Sequence, residues 1–211
     1  MNDPLPIGRR CFLEPISEIA DAARYLDAAV SAHIVGRSKL ADELIRLADM
    51  SAIREWTESL WGGKHPHRHY RPVPQAPPSL PKEQRVKARM PTSAEKKILL
   101  RRDGYHCRLC GIPLIRAEIR KRIQRIYPSA LPYGRTNVQQ HAAFQAMCVQ
   151  YDHLLAHARG GATDLENMLI TCAPCNYCRA EYTFAEVGLV DPLRRKPFSS
   201  TWDGLERFRN A

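Results

Sequence analysis

The chain has 211 residues, of which 44% are hydrophobic, and a formal net charge of +10. This length fits one domain, or one domain with a smaller one. No stretch approaches 18 consecutive apolar residues, so neither a transmembrane helix nor a membrane partner is expected. The N-terminus shows neither the basic nor the apolar part of a secretion signal, and the expected location is the cytoplasm.

The positive charge is concentrated in one segment. Residues 82–126 hold 14 basic and 4 acidic residues, whereas residues 1–64 hold 8 basic and 10 acidic ones. A clustered basic stretch is typical of a protein that binds a polyanion such as nucleic acid. The alternative is a charged helix face that contacts only solvent.

Residues 1–64 are predicted to form a helical N-terminal region. Apolar residues recur at helical spacing over residues 16–30, and Ser38 and Ser51 are expected to cap two further helices. Because this region is nearly neutral, it is a poor candidate for gripping nucleic acid. We expect it either to pack on the rest of the chain or to contact a protein partner or a second copy through its two tryptophans.

Residues 65–91 contain seven prolines. Such a density forbids helix and central strand, so a semi-rigid, extended linker is predicted. Its three alternating histidines, His65, His67 and His69, are interpreted as solvated side chains in preference to metal ligands.

Residues 92–211 are predicted to mix helices with two short strands. Thr92 or Ser93 is expected to cap the first helix, and Glu95 lies in its first turn. The predicted elements are helices near 92–102, 115–127, 136–147 and 174–180, and strands near 149–153 and 168–170.

Seven cysteines, an odd number, argue against a disulfide scaffold. Four of them form two pairs with two residues between the members, Cys107 with Cys110 and Cys172 with Cys175. This spacing lets both thiolates of a pair bind one tetrahedral ion, so a structural Zn²⁺ site with four cysteine ligands is predicted. Cys178 continues the second pair and is an alternative ligand.

Residues 152–176 hold an ordered set of polar residues, glycines and cysteines: Asp152, His153, Gly160, Gly161, Asn167, Cys172, Cys175 and Asn176. Together with the upstream cysteine pair, this set resembles the core of the HNH endonuclease family, whose fold is the ββα-metal finger. The resemblance implies an α+β fold in which this finger is stapled by the zinc site, with the helical N-terminal region and additional helices around it. The domain expected to carry the nuclease is residues 92–211.

The resemblance implies roles for four residues. His153 is at the general-base position, and a neutral imidazole suits proton removal from water at physiological pH. Asp152 and Asn176 offer oxygen ligands for one hard divalent cation, and Asn167 is expected to brace the loop between the strands. The family name implies histidine where this chain has Asn176, a change that favours Mg²⁺ or Mn²⁺ over Zn²⁺ at the catalytic site.

Each of these residues also has a purely structural interpretation. Asp152 can cap a turn, His153 can be a hydrogen-bonded core histidine, and Asn176 can cap the helix after the second cysteine pair. His157 either joins the metal shell or is an ordinary loop residue. The two glycines of the set are expected to adopt positive φ in the connection between the strands.

Six basic residues are expected to grip the phosphate backbone without reading its sequence. They are Arg116, Arg120, Lys121, Arg122, Arg159 and Arg179. A basic arm over residues 82–89 is expected to assist them. The expected partner is nucleic acid, with DNA favoured over RNA by analogy with the family.

The sequence therefore predicts a metal-dependent HNH endonuclease that hydrolyses phosphodiester bonds, with bacterial restriction or anti-phage defence as its cellular role. The competing interpretation is a zinc-dependent protein that binds nucleic acid without cleaving it. A third is a regulated toxin subunit that stays silent until its N-terminal helices meet a partner.

Overall fold

The structure, a computed structural model, describes residues 8–61, 66–87 and 90–210, so His65 and Arg89 lie outside the described residues. The architecture is α+β, as predicted. Within these ranges the elements are α1 (Ser17–Ile34), α2 (Ser38–Leu47), α3 (Ser51–Ser59), α4 (Ser93–Asp103), α5 (Ala117–Ile126), α6 (Ala142–Ala146), β1 (Val149–His153), β2 (Met168–Cys172) and α7 (Ala173–Arg179). Among the helices described, none is both long and apolar enough to cross a bilayer.

The N-terminal helices pack on the remainder of the chain and share one continuous hydrophobic core with it. Trp56 is buried and donates its indole N–H to the carbonyl of Glu14 at 3.0 Å. His33 on α1 is hydrogen-bonded to Tyr127 at 2.7 Å between Nδ1 and the phenol oxygen. Of the two roles expected for this region, packing is therefore the one that the structure describes.

Two predicted helix caps differ from the structure. Ser38 and Ser51 are the first residues of α2 and α3, and the cap positions belong to Arg37 and Met50, neither of which makes a side-chain cap bond. The predicted cap of α4 is confirmed: Thr92 and Glu95 form a reciprocal capping box.

The proline-rich segment lies against the second half of the chain. The backbone N–H of Leu80 donates to the carbonyl of Ala158 at 2.7 Å, and the ring nitrogen Nε2 of His157 lies 2.7 Å from the carbonyl oxygen of Val86. Prolines leave the segment extended, so its backbone groups are available to a neighbouring loop. Residues 66–87 thus pack on the surface of the second half of the chain, in addition to joining the N-terminal helices to it.

The two strands form an antiparallel hairpin that runs directly into α7. Val149 pairs with Cys172 and His153 pairs with Met168, and Pro174 lies in the first turn of the helix. The helix predicted before β1 is shorter than expected, because residues 137–139 form a separate 3₁₀ turn closed by Gln139 and Thr136. The order strand, strand, helix agrees with the prediction for residues 149–180.

The loop between the strands contains two glycines, one that is needed for its backbone conformation and one that is needed for lack of space. Gly160 has φ of +85°, as predicted. Gly161 does not have positive φ, which corrects the expectation for that residue. There a Cβ would overlap the backbone carbonyl oxygen of Leu155 and lie 2.8 Å from the amide nitrogen of Asn167.

We expect Gly161→Ala to destabilise the protein more than Gly36→Ala. At Gly36, φ is +76° and a Cβ would meet no atom within 4 Å, so the cost is that of a left-handed backbone, about 1–2 kcal/mol. At Gly161 the backbone itself obstructs the new atom, and a loss of about 3 kcal/mol or more is expected. Urea unfolding of both variants measures the difference, and equal losses would contradict this account of the loop.

Candidate functional site

The four paired cysteines meet in one buried cluster. One ligand atom from each of Cys107, Cys110, Cys172 and Cys175 lies within 4.8 Å of all the others, and the sulfurs of Cys110 and Cys172 are 3.6 Å apart. Four sulfurs about 2.3 Å from a tetrahedral zinc ion are separated by about 3.8 Å, which agrees with this spacing. The cluster could therefore hold a structural metal such as zinc.

The first cysteine pair lies on a tight turn that is attached to β2. The N–H of Cys107 donates to the carbonyl of Ile112 at 3.0 Å, and the N–H of Gly111 donates to Cys107 at 2.9 Å. The N–H of Arg108 donates to the carbonyl of Ile170 at 2.9 Å. The second pair lies at the junction of β2 and α7, where the backbone N–H of Cys175 donates to the sulfur of Cys172.

Burial raises the pKa of the Cys110 and Cys172 thiols. Burial also opposes ionisation of Cys107, but hydrogen bonds from the three other thiols outweigh it and lower the pKa of that residue. Four thiolates in this dry setting need a cation to offset their charge. Cys178 is buried but does not belong to the group of four, so the alternative in which it replaces a ligand has no support in the geometry.

Purified protein is expected to contain about one zinc ion per chain, held by four thiolates. Cys110→Ser should lose most of this metal and much of the stability, whereas Cys178→Ala should keep the metal. Mass spectrometry of metals in both variants provides the measurement. Zinc lost from Cys178→Ala but kept by Cys110→Ser would assign the site to a different set of cysteines.

Three of the four residues predicted for the catalytic centre line one cleft, and Asn167 is not among the residues that line it. Asp152 and His153 lie at the end of β1 and Asn176 lies on α7, and all three line a cleft of about 1040 Å³. The hairpin places them together because α7 begins as soon as β2 returns beside β1. Asp152 and His153 are only 5% and 7% exposed, so they lie at the floor of this cleft.

Asp152 is paired with a buried arginine. The Nε of Arg179 donates to one carboxylate oxygen at 3.0 Å and a terminal nitrogen donates to the other at 2.5 Å. Arg179 also donates to the carbonyls of Leu154 and Tyr182 and to that of His153. Since its side chain is 1% exposed, Arg179 is a brace for the strand end, and its expected role as a phosphate clamp is revised.

His153 and Asn167 are both held by the connection between the strands. Nε2 of His153 lies 3.0 Å from the hydroxyl oxygen of Thr163. The amide of Asn167 accepts from the N–H of Leu155 at 2.8 Å and donates to its carbonyl at 3.1 Å. Asn167 therefore has the contacts of the predicted brace, closing the loop that follows His153.

Comparison with known proteins gives no identification. No family model matches the chain, and no curated protein or solved structure matches it either. The case for a function therefore depends on the residues and on their geometry, and the HNH family stays a proposal.

Three further arginines of the predicted phosphate grip contact the protein itself. Arg116 pairs with Glu206 at 2.5 Å, and the guanidinium of Arg120 lies 3.6 Å from the ring centroid of Tyr133. Arg159 pairs with Glu186 at 3.0 Å, and its side chain is 8% exposed. Their guanidinium groups neutralise carboxylates or cover a ring, so these groups are already engaged within the protein and are poor candidates for phosphate ligands. Of the other two, Lys121 is exposed and Arg122 is half-buried.

Besides Arg179, the lysines and arginines that line the cleft come from the proline-rich segment, and Glu83 and Glu181 line it too. Lys82, Arg85 and Lys87 lie along it, opposite the strand end. All three belong to the basic arm predicted over residues 82–89, but no sequence pattern indicated that the arm lines the same cleft as His153. Tyr177 and Gln150 also line the cleft, and sequence reasoning assigned them no role.

Removing the buried arginine should be strongly destabilising. Arg179→Met leaves the Asp152 carboxylate buried without a counter-charge, and a loss of about 3–5 kcal/mol in the free energy of unfolding is expected. The double variant Asp152→Asn/Arg179→Met removes both charges and should recover part of that loss. If the double variant is less stable by the full sum of the two single losses, the two side chains are not coupled.

Proposed function

We propose that this protein is a metal-dependent endonuclease of the HNH type that hydrolyses phosphodiester bonds of nucleic acid, with DNA as the substrate. One observation carries the proposal: an imidazole, a carboxylate and an amide line the same cleft as three basic side chains. A general base, oxygen ligands for a divalent cation and positive charge for the phosphate backbone are the groups that this hydrolysis requires.

The donor set fits a hard cation. Asp152 and Asn176 supply a carboxylate and an amide oxygen, which suit Mg²⁺ or Mn²⁺ better than a thiophilic ion. Each carboxylate oxygen of Asp152 accepts one bond from Arg179 and has a second lone pair. A bound cation would stabilise the negative charge that develops on the phosphate during hydrolysis.

His153 supplies the base in this proposal. Its bond to Thr163 fixes the orientation of the ring, and its position on the strand end keeps it on the floor of the cleft. A neutral imidazole there would take a proton from the attacking water. Arg179 and Asn167 act through other residues, since they fix the strand end and the loop that carry the base.

The cleft also supports a substrate of extended shape. The basic segment with Lys82, Arg85 and Lys87 lies along one side, and α7 lies along the other. These lysines and arginines would contact phosphates without reading bases, which predicts weak sequence preference from this part of the site. A role in bacterial restriction or anti-phage defence is compatible with such an activity.

A second candidate is a zinc-dependent protein that binds nucleic acid without cleaving it. The hydrogen bonds that already occupy His153 and Asp152 favour it, because both residues are also explained as structural. The two functions make opposite predictions for a variant that removes the imidazole.

We expect His153→Ala to lower the rate of DNA cleavage in Mg²⁺ or Mn²⁺ by about 10²–10⁴-fold, the usual contribution of a general base. Binding to the same DNA and the zinc content should be unchanged. The assay compares plasmid, linear duplex, single-stranded DNA and RNA, each with either cation or with EDTA.

The control is His69→Ala, which changes an exposed histidine. It should cleave at the native rate. Native protein that binds nucleic acid but cleaves none of the four substrates would favour the binding protein over the nuclease. A His153→Ala variant that cleaves like the native chain would refute His153 as the general base.

A further inference from the structure

A second cavity adjoins the proposed catalytic cleft. It has a volume of about 530 Å³, within the range of about 300–1,000 Å³ that is usual for small-ligand sites. Gln150, Tyr177 and Ala180 line both cavities. A ligand in one can therefore be continuous with a ligand in the other.

The wall of this second cavity is aromatic. Trp61, Tyr133 and Tyr177 line it, and the rings of Trp61 and Tyr177 meet edge to face with centroids 5.5 Å apart. Tyr177 is 55% exposed, so part of its ring is open to an incoming group. Flat, exposed rings of this kind are the surfaces on which single nucleobases stack.

Amide side chains form the polar part of the same wall. Gln145 is 3% exposed, and its amide nitrogen donates to Asn137 at 3.0 Å and to Gln140 at 3.3 Å. These two bonds fix the orientation of the Gln145 amide. The amide oxygen has no hydrogen-bond partner in the described part of the chain. The indole N–H of Trp61 also has no hydrogen-bond partner among the described residues.

A buried acceptor and a buried donor without partners are costly unless a ligand or a water satisfies them. Every nucleobase carries donors and acceptors side by side on its Watson–Crick edge, together with a flat π-face. The described residues that line the cavity include Arg68 but no carboxylate, which suits a segment of a polyanion. The aromatic rings, the amide groups and the positive charge of this cavity therefore all suit a nucleobase of a nucleic-acid strand.

We propose that this cavity binds one unpaired nucleobase of the substrate, next to the phosphodiester held in the catalytic cleft. The inference deepens the proposed function and rests on a nucleic-acid substrate. Gln150 and Asp152 are two residues apart on β1 and so lie on one face of the strand, and Tyr177 follows Asn176 on α7. The preferred substrate is then single-stranded, or a duplex with a base displaced near the cleavage position.

Binding is measured in the His153→Ala background, so that no cleavage interferes. The probes are labelled 12-nucleotide single strands with either an ordinary base or an abasic site at the centre, one probe for each of the four bases. We expect the abasic strand to bind about ten-fold more weakly than the best of the four, since stacking of one base is lost.

Two variants test the walls of the cavity. Tyr177→Ala removes an exposed ring. Trp61→Phe removes the indole N–H and part of the ring area but keeps an aromatic ring, so both variants should fold. Tyr177→Ala should reduce the ratio between base and abasic binding to within about two-fold, and Trp61→Phe should reduce it in part. The matched control is Tyr70→Ala, which removes another exposed tyrosine, one that contacts Tyr182, and should leave the ratio unchanged.

A ratio near one in the parent protein, or an equal ratio in the parent, Tyr177→Ala and Trp61→Phe, would overturn the base pocket. Either result leaves the nuclease proposal standing, because it concerns binding of nucleic acid by the His153→Ala variant, which lacks the proposed general base. Conversely, absence of cleavage by the native chain would refute the nuclease while the binding ratio still decides whether the cavity recognises a base.

Discussion

The four-sulfur cluster is the constraint on which the site depends. It joins a turn at residues 107–110 to the junction of β2 and α7, across 61 intervening residues. Because α7 begins at that junction, the cluster fixes the start of the helix and, with it, the position of Asn176 against the end of β1. A hairpin of two five-residue strands is marginal alone, so an ion bound there would stabilise the whole arrangement.

A second constraint, the pair between Asp152 and Arg179, fixes the other end of α7. The cluster lies at the first turn of the helix and the arginine at its last residue, so both ends are attached to the hairpin. The carboxylate that the proposed cation would use is thereby held in one orientation. Because removal of either partner would leave the other charge buried without a counter-charge, the pair also makes the attachment of α7 to the strand end costly to break.

The sequence predicted the local features well and the long-range ones poorly. The two cysteine pairs, the hairpin and the capping box of Thr92 follow from spacings of a few residues, and the structure reproduces them. The partner of Arg179 lies 27 residues away, and no rule based on sequence spacing predicts that Arg179 pairs with Asp152 instead of facing solvent. For the same reason the sequence could not show that the proline-rich segment faces the strand end. Charge alone indicated a polyanion partner, but it did not distinguish arginines paired within the protein from those lining the cleft.

The register of α7 shows how closely structure and proposed function are connected. Successive residues of a helix point about 100° apart, so the side chains from Cys175 to Arg179 face different parts of the molecule. Cys175 joins the sulfur cluster, Asn176 and Tyr177 line the proposed catalytic cleft, and Arg179 pairs with Asp152. Only Tyr177 of these lines both cavities. The group proposed to stack a base is therefore held by the residues on either side of it, so a helix of seven residues would bring the two proposed roles, base binding and hydrolysis, next to each other.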